Sequence, residues 1–181
     1  MTRNRYYTGP VNDHFNGSRF FNPDQVSTDR SLRDIWQWRR TSHPAQWPTS
    51  VAINSVVPEK NVAGLRVTMV GHATVLIQLA GVNVLTDPVW SERASPVAWA
   101  GPKRVTAPGV DFEHLPPIDV ILISHNHYDH LDRTTLQRLH ASHDPLIIVP
   151  LGNDHIIRKI LPHARIITGD WHDQVEINTT L

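Results

Sequence analysis

Ile118-Asp119-Val120-Ile121-Leu122-Ile123-Ser124-His125-Asn126-His127-Tyr128-Asp129-His130-Leu131-Asp132 is the stretch around which the chain is organised. Its first six residues have the length and β-branched content of a buried strand. The apolar run then stops, and His125, His127, Asp129 and His130 follow within the loop into which that strand empties. In open α/β sheets ligands gather outside the carboxyl ends of strands, so chemistry is expected at this point. Imidazole and carboxylate both ligate zinc, and imidazole also suits iron and other first-row metals. If residues 125–127 stay extended, His125 and His127 project to one side and can grip one ion. A turn at Tyr128 then presents Asp129 and His130 together, toward a second ion.

The text flanking this motif extends the pattern. Val70-Gly71-His72-Ala73-Thr74-Val75-Leu76-Ile77 and Leu85-Thr86-Asp87-Pro88-Val89 precede it. With Ser124 to Asp132, these segments resemble the metallo-β-lactamase superfamily. Within it they are similar to the branch that holds the N-acylphosphatidylethanolamine-hydrolysing phospholipases D and their bacterial relatives. Tyr7-Thr8-Gly9-Pro10, Asp13-His14-Phe15 and Arg19-Phe20-Phe21-Asn22-Pro23 fit the bacterial members.

The resemblance covers nearly the whole chain but only the first part of the family's length. It implies an α/β chain forming the first half of an αββα sandwich, one mixed sheet with flanking helices. It also implies two divalent metal ions, zinc by default, with iron or manganese as alternatives. His125 and His127 would hold one ion and Asp129 and His130 the other, the latter two as the catalytic candidates. The implied reaction is hydrolysis of a phosphodiester in a phospholipid such as an N-acylated phosphatidylethanolamine. A phosphorylated-sugar lactonase is the nearest alternative chemistry. The family's later ligand motifs have no matching position here, so a catalytically incomplete metal-binding fragment is the competing expectation.

Composition sets the outer bounds. At 181 residues, 40% hydrophobic and 19% charged, the chain has the profile of a globular domain with a core. Seventeen basic residues balance seventeen acidic ones, which gives no electrostatic footprint for nucleic acid. The absence of cysteine removes disulfides and thiolate ligands. No apolar stretch is long enough to span a bilayer. No apolar region follows the cations of residues 1–7, so no secretory signal is read and the cytoplasm is the expected compartment.

In chain order, residues 1–64 read as an arm, a helix and an extended connector, and residues 65–181 as the half-domain. Phe15, Phe20 and Phe21 give the arm apolar groups to bury. Ser27-Thr28-Asp29 starts a helix that places Leu32, Ile35 and Trp36 on one face and ends before His43-Pro44. Trp36 and Trp38 beside Arg39 and Arg40 suit either a lipid surface or packing on the protein body, and packing is the expectation. Strands follow at 65–70, 74–79 and 82–86, with Ala80-Gly81 turning a hairpin. His72 is either a structural residue at a strand edge or a member of the metal cleft. Asp87 is either a turn cap or a partner for a metal-bound imidazole.

Residues 89–117 form a long loop in which Lys103 and Arg104 either meet phosphate or face solvent. Asp132 starts a helix ending near His143. A strand at 146–149, a helix at 153–161 and a strand at 165–168 imply parallel pairing. His155 is a weaker candidate for the cleft, while His140, His143 and His163 read as surface residues. Val175 to Asn178 reads as the start of a further strand. One sheet without its partner exposes an apolar face, so the N-terminal arm, a second copy in a homo-oligomer or a complementing second half is expected to cover it.

Overall fold

The computed structural model describes residues 3–23, 29–43 and 45–177. Two compact units divide the chain, Met1–Pro48 and Thr49–Leu181.

In the first unit, Tyr7, Phe15 and Phe20 form an aromatic cluster with ring centroids 4.6 to 5.3 Å apart. Phe15 is buried, whereas Phe20 and Phe21 stay largely exposed, so one of the three expected apolar anchors does most of the burying. One helix, α1 (Leu32–Thr41), follows. Ser31 caps it, accepting a hydrogen bond from the Asp34 N–H while the Asp34 carboxylate accepts from the Ser31 N–H. That reciprocal box satisfies two orphan donors and sets the start a few residues after Asp29. Ser27 and Thr28, where the start was expected, lie outside the described residues.

In the second unit six strands form one sheet in the order β1-β2-β3-β4-β5-β6. They are β1 (Leu65–Gly71), β2 (Thr74–Leu79), β3 (Val82–Thr86), β4 (Val120–Leu122), β5 (Leu146–Pro150) and β6 (Ile166–Gly169). The first three form an antiparallel meander, and β3 through β6 run parallel. Ala80 and Gly81, at φ of 50° and 83°, make the hairpin turn between β2 and β3. Positive φ at both central residues matches the twist of the flanking strands. Helices α2 (Arg133–His143) and α3 (Asp154–Ile160) are the crossovers between β4, β5 and β6. Successive right-handed crossovers in one direction lay helices on one face of a sheet. Leu136 and Leu139 of α2 and Ile157 of α3 accordingly share a buried core with Leu76, Leu85, Ile121, Ile147 and Val149. Each such fully buried aliphatic side chain contributes roughly 1.5–3 kcal/mol.

The opposite face is open. Leu65, Val67 and Met69 of β1 are 60% or more exposed, and Leu79, Leu122 and Ile167 continue the apolar surface across the sheet. Period-2 alternation sorts these residues to one side, and no helix crossover lands there.

Buried polar groups tie the connector and the long loop to the sheet. Asn83, almost fully buried, donates to the carbonyls of Lys60 and Pro117 and accepts from Gln78. The Arg104 guanidinium donates to the carbonyls of Val89 and Ser91. Burial lowers its pKa, opposed by Asp132 and Glu92. Lys103 sits 3.4 Å from Glu92. Lys103 and Arg104 are thus engaged within the loop, and neither is the free phosphate contact weighed from sequence.

Two further expectations are corrected. Residues 175–177 form no strand, because the alternation of Val175 and Ile177 has no hydrogen-bonded neighbour there; Asn178 lies outside the described residues. His140 is half-buried rather than a surface residue, and so is His143. Burial alone lowers the pKa of His143 from the ordinary 6.5. The unfolded chain therefore protonates at this position at higher pH than the fold does. The stability it contributes is complete above the unfolded value and is lost as pH falls through it. His143→Gln is expected to flatten the loss of stability between about pH 7 and pH 5.5. Urea midpoints across that range check this, and parallel wild-type and variant curves would contradict it.

Candidate metal centre

Strand β4 is fully buried at Val120 and Ile121, and its chain emerges at Ser124. The Ser124 N–H and Oγ–H both donate to the Asp87 carboxylate, each at 2.7 Å. Asp87 ends the adjacent strand β3 with a φ of 37°, a left-handed conformation that Asp tolerates better than most residues. Only 6% exposed, it directs its second oxygen at His130 Nδ1, 2.9 Å away. A buried carboxylate needs donors, and these three supply them.

After Ser124 the chain runs without regular structure through Asn126, bends at His127 and then turns. The N–H groups of His130 and Leu131 both donate to the His127 carbonyl. The turn brings the four ligand candidates together. His125 Nε2 and His127 Nδ1 face each other at 3.0 Å, and the His125 and His130 rings lie 4.0 Å apart at their centroids. His130 Nε2 is 3.5 Å from Asp129 Oδ2. His72, carried in by the β1–β2 hairpin at a φ of 52°, places Nε2 2.9 Å from the same oxygen. Ligand atoms of His72, Asp129 and His130 all fall within 4.8 Å of one another.

These spacings fit a metal. Zinc–nitrogen and zinc–oxygen bonds of about 2.0–2.2 Å put neighbouring ligand atoms roughly 3 to 3.5 Å apart. The protonation states fit as well. Burial holds the pKa of His125 below the ordinary value, and the neighbouring His130 and His127 add to this against the opposing charges of Asp87 and Asp129. A ligand imidazole must be neutral. Burial works against ionisation of Asp129, but its backbone hydrogen bond and the His130 and His72 rings outweigh it, and the carboxyl stays below its usual pKa. With Nδ1–H donated to Asp87, His130 keeps the Nε2 lone pair free on the Asp129 side.

Geometry therefore gathers His125, His127, Asp129 and His130, with Asp87 behind His130 and His72 on Asp129. His155 is exposed and contacts Asp154, outside this group. Sequence reasoning missed Ser124. Its Oγ also lies 2.9 Å from His125 Nδ1, so one hydroxyl links Asp87 to the first histidine. The only sequence signal was its place between strand and motif. A cavity of about 480 Å³ opens beside the loop, with Tyr128, Arg93, Arg133 and Gln137 in its wall. Among the described residues Arg133 has no hydrogen-bond or ion-pair partner.

Residues 82–181, which contain this whole cluster except His72, match the family model of the β-lactamase superfamily domain. The chain belongs to the β-lactamase superfamily. Among superfamily relatives, an N-acyl-phosphatidylethanolamine-hydrolyzing phospholipase D of Caenorhabditis elegans is 37% identical over 84% of this chain and 46% of that protein. An uncharacterized protein of Mycobacterium tuberculosis is 41% identical over 63% of this chain and 31% of its own length. The chain thus spans less than half the length of the relatives it matches. Of solved superfamily-like structures, the diiron β-hydroxylase CmlA of Streptomyces venezuelae overlaps 66% of this chain and 23% of that one, at 27% identity and a TM-score of 0.47.

Proposed function

We propose that this chain carries the first metal-ligand set of a phosphodiesterase acting on phospholipids of the N-acylated phosphatidylethanolamine type. The observation that carries the reading is the placing of two pairs, His125 with His127 and Asp129 with His130, each with ligand atoms 3.0 to 3.5 Å apart, on one loop where the His125 and His130 rings meet. The resemblance of the worm relative supports the substrate class. Zinc is the proposed metal, with iron or manganese as the other donors' match.

His125 and His127 hold one ion in this reading, and Asp129 and His130 the second. Two adjacent cations, when bound, polarise a phosphoryl oxygen and supply hydroxide near neutral pH. The chain's own groups do the positioning. Asp87 fixes the His130 tautomer, Ser124 orients His125, and His72 holds Asp129 from the other side. The cavity wall beside Tyr128 gives the substrate room, and Arg133 offers a cation for its phosphate. The exposed apolar face of the sheet is assigned to a second copy or a complementing half.

The competing reading, a chain that binds metal without turnover, draws on one observation. Among the described residues the groups within metal reach of one another number three, His72, Asp129 and His130, short of a closed dinuclear site.

Metal content after dialysis, with hydrolysis of N-acylated phosphatidylethanolamine in mixed micelles, tests both. Retained metal, weakened at least tenfold by His127→Ala as loss of one ligand predicts, together with diester cleavage, supports the phosphodiesterase. Retained metal with no cleavage leaves the binding chain. Cleavage of a phosphorylated lactone instead moves the substrate class. A wild-type protein that holds no more metal than the variant ends the metal reading.

A further inference from the structure

Helix α1 is amphipathic, yet none of its ten residues is buried. Leu32 is 85% exposed, Ile35 46%, Trp36 59% and Trp38 66%. Within its own unit, Met1–Pro48, the stripe is left uncovered. At about 100° per residue, Trp38, Ile35, Arg39, Leu32 and Trp36 fall in one arc of roughly 160°, and Gln37, Thr41 and Asp34 lie opposite. Trp47, just beyond the helix, is also exposed.

The charge on this element is one-sided. Arg30, Arg33, Arg39 and Arg40 stand on or beside the helix. Its acidic residue, Asp34, is spent in the capping box, where the Ser31 hydroxyl and N–H hold its carboxyl below the usual pKa. Asp29, just upstream, pairs with Arg19 through two hydrogen bonds of 2.7 and 2.9 Å. Arg30 lies within electrostatic reach of Asp34, whereas Arg33, Arg39 and Arg40 form no ion pair among the described residues.

We propose that α1 docks on an anionic phospholipid bilayer, with its aromatic and aliphatic arc at the headgroup boundary. Position decides between a lipid and a protein groove. Arg39 lies in the middle of the apolar arc, and Arg40 stacks over Trp36 at 4.5 Å. An apolar protein groove would bury the Arg39 charge and require a matched carboxylate. At a bilayer the arginine stem lies along the apolar boundary while the guanidinium reaches a lipid phosphate. Tryptophan prefers that same boundary. The helix shares with interfacial helices an apolar and aromatic arc, low net hydrophobicity and basic residues outside the arc, Arg33 and Arg40, while Arg39 sits within the arc.

The test uses the full chain stripped of metal, so its result is independent of the catalytic reading. Flotation is measured with vesicles of phosphatidylcholine alone and of phosphatidylcholine mixed with phosphatidylserine, alongside tryptophan emission. Binding to the mixed vesicles with a blue shift is expected, and little binding to the neutral ones. Arg39→Gln with Arg40→Gln should weaken binding about thirtyfold, since each arginine near an anionic surface is worth roughly fivefold. Trp36→Ser with Trp38→Ser should abolish the blue shift. Both variants alter exposed side chains, and circular dichroism confirms the helix is kept. Three outcomes overturn the proposal: no flotation of the wild-type chain, flotation that the arginine variant leaves unchanged, or self-association that the tryptophan variant removes without any lipid effect.

Discussion

Asp87→Asn is expected to lower metal affinity about ten- to a hundredfold while leaving the fold standing, the range found when a ligand's hydrogen-bond partner is altered. The wild-type carboxylate accepts three hydrogen bonds, from the Ser124 N–H, the Ser124 hydroxyl and His130 Nδ1. Asparagine is the same size and keeps one acceptor, which can stay with the Ser124 N–H. Its NH₂ replaces the oxygen that faces His130. Two donors cannot share that contact, so the imidazole must move its proton from Nδ1 to Nε2. The lone pair on the Asp129 side is then lost, although nothing in the ligand set itself has changed.

Stability should fall as well, by about 1–3 kcal/mol, because a buried polar contact is left mismatched. A purely structural role for Asp87 predicts that smaller effect alone. Nitrogen chemical shifts of the His130 ring separate the two. A switch from the Nδ1–H to the Nε2–H form, together with weakened metal binding, supports the tautomer argument. An unchanged tautomer with unchanged metal affinity would reduce Asp87 to a turn-stabilising residue.

The parts of this site that are close in sequence were legible from their spacing, whereas the distant Asp87 and His72 could only be weighed as alternatives, a turn cap or a strand-edge residue reading equally well. His125, His127, Asp129 and His130 lie within six residues, so the period of an extended chain and one turn sufficed to bring them together. The apolar runs of β2 and β3 also declared their own bounds, since alternation and the Ala80-Gly81 turn are local signals. His72 is different. It meets Asp129 across 57 residues of chain, and that contact exists only once β3 has joined the β1–β2 hairpin to β4 in one sheet.

The Trp stripe of α1 was undecided for a related reason. Periodicity shows that one face is apolar, but not what covers it, and a helix bound for a membrane surface reads the same as one bound for a core. Val175 and Ile177 show the converse error. Alternation is a necessary feature of a strand, but pairing makes one, and residues 175–177 find no partner among the described residues.

Asp132→Ala should be the most destabilising single change in the loop region, costing about 3 kcal/mol. Its Oδ1 accepts from the N–H groups of Thr134 and Thr135, the capping role that starts α2. Losing a helix cap costs roughly 0.5–2 kcal/mol. Its Oδ2 serves a second purpose, accepting from the Thr135 hydroxyl at 2.5 Å and from the Ser91 N–H at 3.0 Å. Ser91 belongs to the long loop that Arg104 also holds, so one carboxylate joins the start of α2 to the loop beside the cavity. Alanine leaves those buried donors unsatisfied, at about 1–3 kcal/mol more. Asp132→Asn keeps the capping oxygen but turns an NH₂ toward the Ser91 N–H, so about half the loss is expected. Chemical denaturation of the three proteins gives the ordering. If alanine and asparagine cost the same and both stay under about 1 kcal/mol, the carboxylate is an ordinary exposed-style cap. The loop would then be held by Arg104 and the Thr135 hydroxyl, which donates nothing to it but accepts from the Trp90 N–H.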